Sequence, residues 1–77
     1  MPDQTMEVNQ HWEKLTEREQ EVLLLVAQFR TDAEVADLLS ISEKTASHHV
    51  SHILNKLNIS SRREVGRWAI KHKLVDL

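Results

Sequence analysis

Apolar residues recur along this chain at spacings of three and four, the period of an amphipathic helix. The pattern starts at Leu15, and no strand-like alternation interrupts it. It predicts an all-α fold, a compact four-helix domain with helices at approximately 17–28, 32–39, 43–57 and 61–73. Residues 1–14 show no period and are expected to be a flexible tail or a linker remnant. The domain itself is expected to cover residues 15–77.

Residues with hydroxyl side chains stand at the start of each predicted helix. Three of them precede a glutamate by three positions, which is the spacing of a capping box: Thr16 with Glu19, Thr31 with Glu34, and Ser61 with Glu64. Ser42 is a fourth N-cap candidate, and Asn58 follows the third helix where a left-handed residue is favoured. The regular spacing of these capping residues supports helices joined by short loops.

Only residues 40–42 separate the second and third predicted helices. Helices joined by so few residues must cross sharply, so this pair predicts a helix-turn-helix, with Ile41 filling the junction. On the second helix the expected core residues are Val35, Ala36, Leu38 and Leu39. On the third helix the expected core side is Ala46, Val50, Ile53, Leu54 and Leu57. The opposite side is polar, with Lys44, Ser47, His48, Ser51 and Asn55, and Thr45, His49, His52 and Lys56 form a stripe along one flank.

The polar side of the third helix lacks acidic residues after Glu43. Such a face suits the major groove of DNA, because carboxylates would be repelled by phosphates and long side chains would hold the helix away. Net charge is −2, but residues 1–42 carry three basic and nine acidic residues, whereas residues 43–77 carry seven basic and three acidic. The second part is therefore the expected DNA-facing part.

Several other functions are disfavoured. The absence of Cys excludes disulfides, thiolate zinc sites and cysteine catalysis. His48 and His52 have a metal-compatible spacing, but no carboxylate or Cys completes a site, so neither a metal nor a cofactor is expected. Ser47 beside His48 is not a catalytic arrangement, so an enzyme is not expected. Without a membrane span or signal peptide in the sequence, the expected location is the cytoplasm.

The motifs together resemble one known family. The segments are Leu15-Thr16-Glu17-Arg18-Glu19, Glu34-Val35-Ala36, Ile41-Ser42-Glu43-Lys44-Thr45, His49-Val50, Ile53-Leu54 and Lys56-Leu57. This combination is similar to the LuxR-type (GerE-type) helix-turn-helix domain, and the likeness spans about residues 15–74. The resemblance implies DNA binding and transcription regulation, usually as a dimer on two half-sites. RNA polymerase is a further possible partner of such a regulator. It implies base contacts from Ser47, His48 and Ser51. It implies DNA backbone contacts from Lys44, Thr45, His49, His52, Lys56 and Arg62.

Two departures from the family pattern matter. The family usually places Gly after the first helix, where this chain has Gln28-Phe29-Arg30, and it often places Lys or Arg where Ser47 and Ser51 stand. With fewer cationic contacts, weaker DNA binding is expected. An alternative function is therefore a protein-interaction module that pairs with another regulator and binds DNA weakly or not at all. The sequence is compatible with a stand-alone regulator and with an output domain cut from a longer one.

The fourth predicted helix has a second apolar side. Val65, Trp68 and Ala69 fit the core, whereas Gly66, Ile70 and Leu74 lie on another side. The resemblance favours a homodimer contact through these three residues, which would set the half-site spacing on DNA. The alternative is that Ile70 and Leu74 cap the core.

Overall fold

The computed structural model describes residues 13–72 and residue 74. Within these residues it contains no strand and four helices: α1 (Glu17–Ala27), α2 (Asp32–Leu39), α3 (Glu43–Leu57) and α4 (Arg63–Lys71). The predicted all-α fold is confirmed, and α2 and α3 have the predicted bounds. The first helix is one residue shorter than predicted, and α4 starts two residues later. Most of the predicted tail lies outside the described residues, as does residue 73.

Side-chain caps start the first three helices. Thr16 Oγ1 accepts from the Glu19 N–H at 3.1 Å, while the Glu19 carboxylate accepts from the Thr16 N–H at 3.0 Å, which completes a capping box. Thr31 and Glu34 form the same reciprocal pair. Ser42 Oγ accepts from the Thr45 N–H at 3.0 Å. These three predicted caps are confirmed.

The predicted box between Ser61 and Glu64 does not form. Helix α4 begins after Arg62, whose backbone is already helical, and no side chain caps it. Instead, the Ser60 hydroxyl donates to the Glu64 carboxylate at 3.0 Å, and only the carbonyl of Ser61 accepts from the Glu64 N–H. The physical reason is tertiary: the Arg62 guanidinium is bound to Asp32 and to the carbonyl of Arg30, which fixes the backbone at the start of α4.

A residue with a left-handed backbone conformation follows each of the first three helices. Phe29, Ser40 and Asn58 have φ angles of 65°, 58° and 55°. After α3, the Asn58 N–H donates to Asn55 and the Ile59 N–H turns back to Leu54, which is a Schellman ending, and Asn58 takes the predicted role. Phe29 lies in the stretch 28–30, where the resembled family usually places Gly, and it adopts the conformation that Gly adopts most easily. A residue with a side chain therefore takes the positive φ angle after α1.

The core lies where all four helices meet. Its buried apolar residues are Leu15, Val22, Leu23, Val26, Ala27, Val35, Ala36, Ala46, Val50, Ile53, Leu57, Val65 and Ala69. Ile41 and Leu54 are half-buried and pack against this cluster, as predicted. The prediction for Leu38 was wrong: its side chain is 54% exposed. On α2, Val35, Ala36 and Leu39 already form the stripe that faces the other helices, and Leu38 lies beside that stripe.

Candidate nucleic-acid interface

The outward side of α3 is exposed and polar. Lys44, Ser47, His48 and Ser51 are all exposed, whereas Ala46, Val50, Ile53 and Leu57 on the other side are buried. The division of the helix into two faces therefore agrees with the sequence pattern. In the described part of the chain, the side chains of Ser47, His48 and Ser51 form no hydrogen bond or ion pair. Their polar atoms are available to a ligand.

The first turn of α3 presents a hydroxyl outward. The Ser42 hydroxyl donates to Thr45 Oγ1 at 2.9 Å, and its own oxygen accepts from the Thr45 N–H. Thr45 is exposed, and this arrangement leaves its hydroxyl hydrogen to donate to another acceptor. A phosphate oxygen beside the N-terminus of the helix would be such an acceptor, and the helix dipole would favour it.

On the flank of α3, the side chains of Lys56 and His52 face a carboxylate of α1. Lys56 Nζ donates to Glu19 Oε1 at 2.7 Å, and His52 Nδ1 lies 3.8 Å from Glu19 Oε2. The Glu19 side chain is only 5% exposed. His49, another member of the stripe, is half-buried. Lys56 is therefore already bonded within the fold, and His52 lies beside the same carboxylate.

The ionisation of Glu19 follows from these contacts. Burial by itself raises the pKa of the carboxyl, because it disfavours the charged form. The hydrogen bonds from Lys56 and from the Thr16 backbone, together with the charges of Lys56 and His52, outweigh burial and hold the pKa of Glu19 below its ordinary value. Glu19 is thus an anion at neutral pH, and its capping role alone does not account for its surroundings.

Arg62 is also engaged. Its guanidinium bonds the Asp32 carboxylate and donates to the Arg30 carbonyl at 2.5 Å. These contacts join the loop before α4 to the start of α2, some thirty residues earlier. The resemblance implies a DNA backbone contact for Arg62; in the structure its side chain links the start of α4 to the start of α2 and to the Arg30 carbonyl.

The three residues predicted for the dimer contact, two on α4 and Leu74 beyond its end at Lys71, have three different environments. Gly66 is buried, and a β-carbon built on it would lie 3.2 Å from Cζ of Phe29 and 3.5 Å from the Ala27 carbonyl oxygen. Leu74 packs against the core, as the alternative interpretation expected. Ile70 is half-buried and is not part of the core packing. Phe29, which lies over Gly66, is 75% exposed.

Sequence reasoning missed the second role of Glu19. The residue was identified as the partner of Thr16, and no spacing in the sequence connects it with Lys56, 37 positions later. A signal was nevertheless present, because Glu19 lies one turn before Val22 and Leu23, on the side of α1 that faces the core. A carboxylate on that side needs a cationic partner.

No group of three metal-ligating side chains occurs in residues 13–72. Over the same part of the chain, no helix is both long and apolar enough to cross a membrane.

Comparisons with known proteins agree with this architecture. Residues 13–69 match the family described as bacterial regulatory proteins, luxR family. The response regulator protein VraR from Staphylococcus aureus (strain NCTC 8325 / PS 47) is 42% identical over 65 residues, and the proteins of that name from Staphylococcus saprophyticus and Staphylococcus epidermidis give the same value. The match covers 84% of this chain but only 31% of each relative, so the chain spans about a third of their length. Such homology points to a regulator rather than an enzyme. The chain belongs to the LuxR family of bacterial regulatory proteins and is a helix-turn-helix DNA-binding domain.

Proposed function

We propose that this domain regulates transcription by placing α3 in the major groove of double-stranded DNA. The observation that carries the proposal is the exposed face of α3, which is free of carboxylates after Glu43 and uses none of its side chains at 47, 48 and 51 within the fold. Short side chains let the helix axis approach the base edges closely. The location we propose is the bacterial cytoplasm, where the chromosome is.

The roles of individual residues follow from position on the helix. Ser47, His48 and Ser51 would meet base edges, whereas Lys44 and Thr45 would meet phosphates near the helix N-terminus. His49 lies on the flank and would add a backbone contact. Arg62 keeps its contacts to α2, so we leave it out of the DNA interface.

We further propose that the domain binds DNA as a homodimer through α4. Support comes from Ile70, which lies outside the core packing, and from the exposed ring of Phe29 beside Gly66. Together they widen the apolar surface of α4 beyond what the core uses. Leu74 would contribute less, because it already packs inward. A contact with RNA polymerase is part of the proposed regulation, without assigned residues.

The test is binding at two salt concentrations. The probe is a duplex that the domain selects from a random-sequence library, compared with an unselected duplex of equal length. With Lys44 of each of two domains neutralising a phosphate, the affinity should fall roughly 10-fold or more between 50 and 200 mM salt. An affinity that does not change with salt, or the absence of any selected duplex, would contradict the proposal. It would favour the protein-interaction module that the serines at 47 and 51 suggest.

A further inference from the structure

A buried carboxylate joins α1 to the C-terminal half of the recognition helix α3. Glu19 is the one buried charged residue in the described part of the chain, at 4% exposure. Its Oε1 atom accepts from the Thr16 N–H at 3.0 Å and from Lys56 Nζ at 2.7 Å. Its Oε2 atom lies 3.8 Å from His52 Nδ1. The two side chains that face this carboxylate therefore both come from α3.

Lys56 already gives one of its hydrogen-bond donors to this carboxylate, so turning the ammonium towards a phosphate would weaken or break that bond. Its loss would be unfavourable, because Glu19 is buried and His52, at 3.8 Å, lies too far away for a hydrogen bond. The Lys56 side chain is 37% exposed, so it is covered more than a surface lysine that extends into solvent. By contrast, Lys44 on the same helix is exposed and forms no ion pair with the described residues. The two lysines of α3 thus have different environments.

The anchored residues lie on the same helix as a proposed base contact but on its flank. His48 is on the outward side of α3, and each step of four residues through His52 to Lys56 turns about 40° towards the flank. Lys56 lies about 12 Å along the axis from His48, since the helix rises about 1.5 Å per residue. A rotation of α3 at Lys56 would be transmitted through the rigid helix to His48.

We propose that Glu19 and Lys56 are positioning residues, which set the rotation of α3 so that its outward side chains meet the correct base edges. This inference rests on the proposed DNA binding, and it replaces the expectation that Lys56 contacts phosphate. Base recognition needs side-chain atoms placed to within hydrogen-bonding distance, whereas a phosphate contact tolerates movement of a flexible side chain. Loss of the pair should therefore reduce discrimination among sequences more than electrostatic affinity.

The experiment uses the whole 77-residue chain with Lys56→Met, Glu19→Gln, the double variant, and Lys44→Met as the matched control. Methionine keeps an unbranched apolar stem and removes the ammonium. Each protein is titrated from 50 to 200 mM salt on the selected duplex and on a single-base variant of it. The slope of log affinity against log salt counts phosphates neutralised by Lys or Arg, at about 0.9 per contact, and its changes are expressed per bound domain.

Lys44→Met should flatten the slope by about 0.9 and leave discrimination between the two duplexes unchanged. Lys56→Met should leave the slope unchanged and lower discrimination about 5-fold or more, a loss of the size that one base contact supplies. Glu19→Gln should release the Lys56 ammonium towards the DNA, so its slope should steepen by up to about 0.9. The double variant should return to the wild-type slope. Lys56→Arg, which keeps a cation beside Glu19, should restore discrimination.

A flattening of about 0.9 in Lys56→Met with discrimination intact would overturn the proposal and make Lys56 a phosphate contact. If far-UV circular dichroism finds Lys56→Met unfolded, Glu19→Gln decides: unchanged slope and unchanged discrimination would refute the positioning role. Failure of the proposed function is a distinct result, because the wild-type chain would then show no salt-dependent binding at all.

Discussion

The two halves of α3 have the same secondary structure but different relations to the rest of the molecule. From the N-terminus to just past the middle of α3, Ser47, His48 and Ser51 project outward without polar partners among the described residues. In the C-terminal half, Lys56 is bonded to Glu19. Buried residues such as Ala46 and Ile53 attach both halves to the core, but only the C-terminal half adds a polar attachment. The side chains that face a ligand and the polar contact that fixes the helix thus lie at different positions along α3.

The largest expected effect is a loss of stability when a buried residue in the C-terminal half of α3 is truncated. Ile53→Ala removes a fully buried side chain at the meeting point of the helices, so the free energy of unfolding should fall by about 2–5 kcal/mol. Urea unfolding followed by circular dichroism measures this change. As the control in the other half, His48→Ala should change stability by no more than about 0.5 kcal/mol. Comparable losses in both variants would refute the division of the helix.

The next effect concerns DNA recognition by the exposed half. His48→Ala should weaken preference at one base position by about 1–3 kcal/mol, whereas Lys44→Ala should lower affinity about equally on all duplexes. Competition binding with a set of single-base variants separates these patterns. If His48→Ala also acts uniformly, His48 contacts the DNA backbone and the proposed orientation of α3 is rotated.

A smaller effect tests the cap that holds Glu19 in place. Thr16→Ala should lower the free energy of unfolding by about 1 kcal/mol, because the Glu19 N–H loses its acceptor. Ser61→Ala is the matched control, since the sequence gives it the same spacing but its side chain caps nothing in the structure. Urea unfolding of the two variants side by side should separate them, and equal losses would mean that the Ser61 box forms in solution.

The smallest expected effect is a pH dependence of the free energy of unfolding that arises from Glu19, the partner of Lys56 in the C-terminal half of α3. The pKa of Glu19 is lower in the folded chain than its ordinary value, so its contacts contribute full stability above about pH 4.3, the ordinary pKa of a Glu in an unfolded chain. That contribution is lost as the pH falls through the lower, folded-state pKa. Stability of the wild type should therefore fall more steeply below pH 4 than that of Glu19→Gln. Parallel curves would show that the carboxylate is not stabilised by its partners.

Local chemistry was predictable from the sequence, and long-range pairing was not. The caps at Thr16, Thr31 and Ser42 follow from neighbours within three residues, and the two faces of α3 follow from its period. The contacts of Glu19 with Lys56, and of Arg62 with Asp32, join residues 37 and 30 positions apart, and no spacing rule reports them. The predicted capping box between Ser61 and Glu64 does not form for the same reason, because a tertiary contact of Arg62 overrides a local motif.

The contact between Phe29 and Gly66 has a consequence for how the chain can vary. Phe29 has the φ angle that suits glycine, while Gly66 sits inside a helix, where glycine is about 1 kcal/mol less favourable than alanine. A β-carbon at 66 would meet the tip of the Phe29 ring at 3.2 Å.

Exchange of the glycine between the two positions, by Phe29→Gly with Gly66→Ala, removes both the backbone strain and the crowding. The two substitutions should therefore be coupled, and the pair should stabilise the domain by more than the sum of the single changes. Related chains with Gly at the end of the first helix would be free to carry a larger residue at the second position, so the two sites should covary.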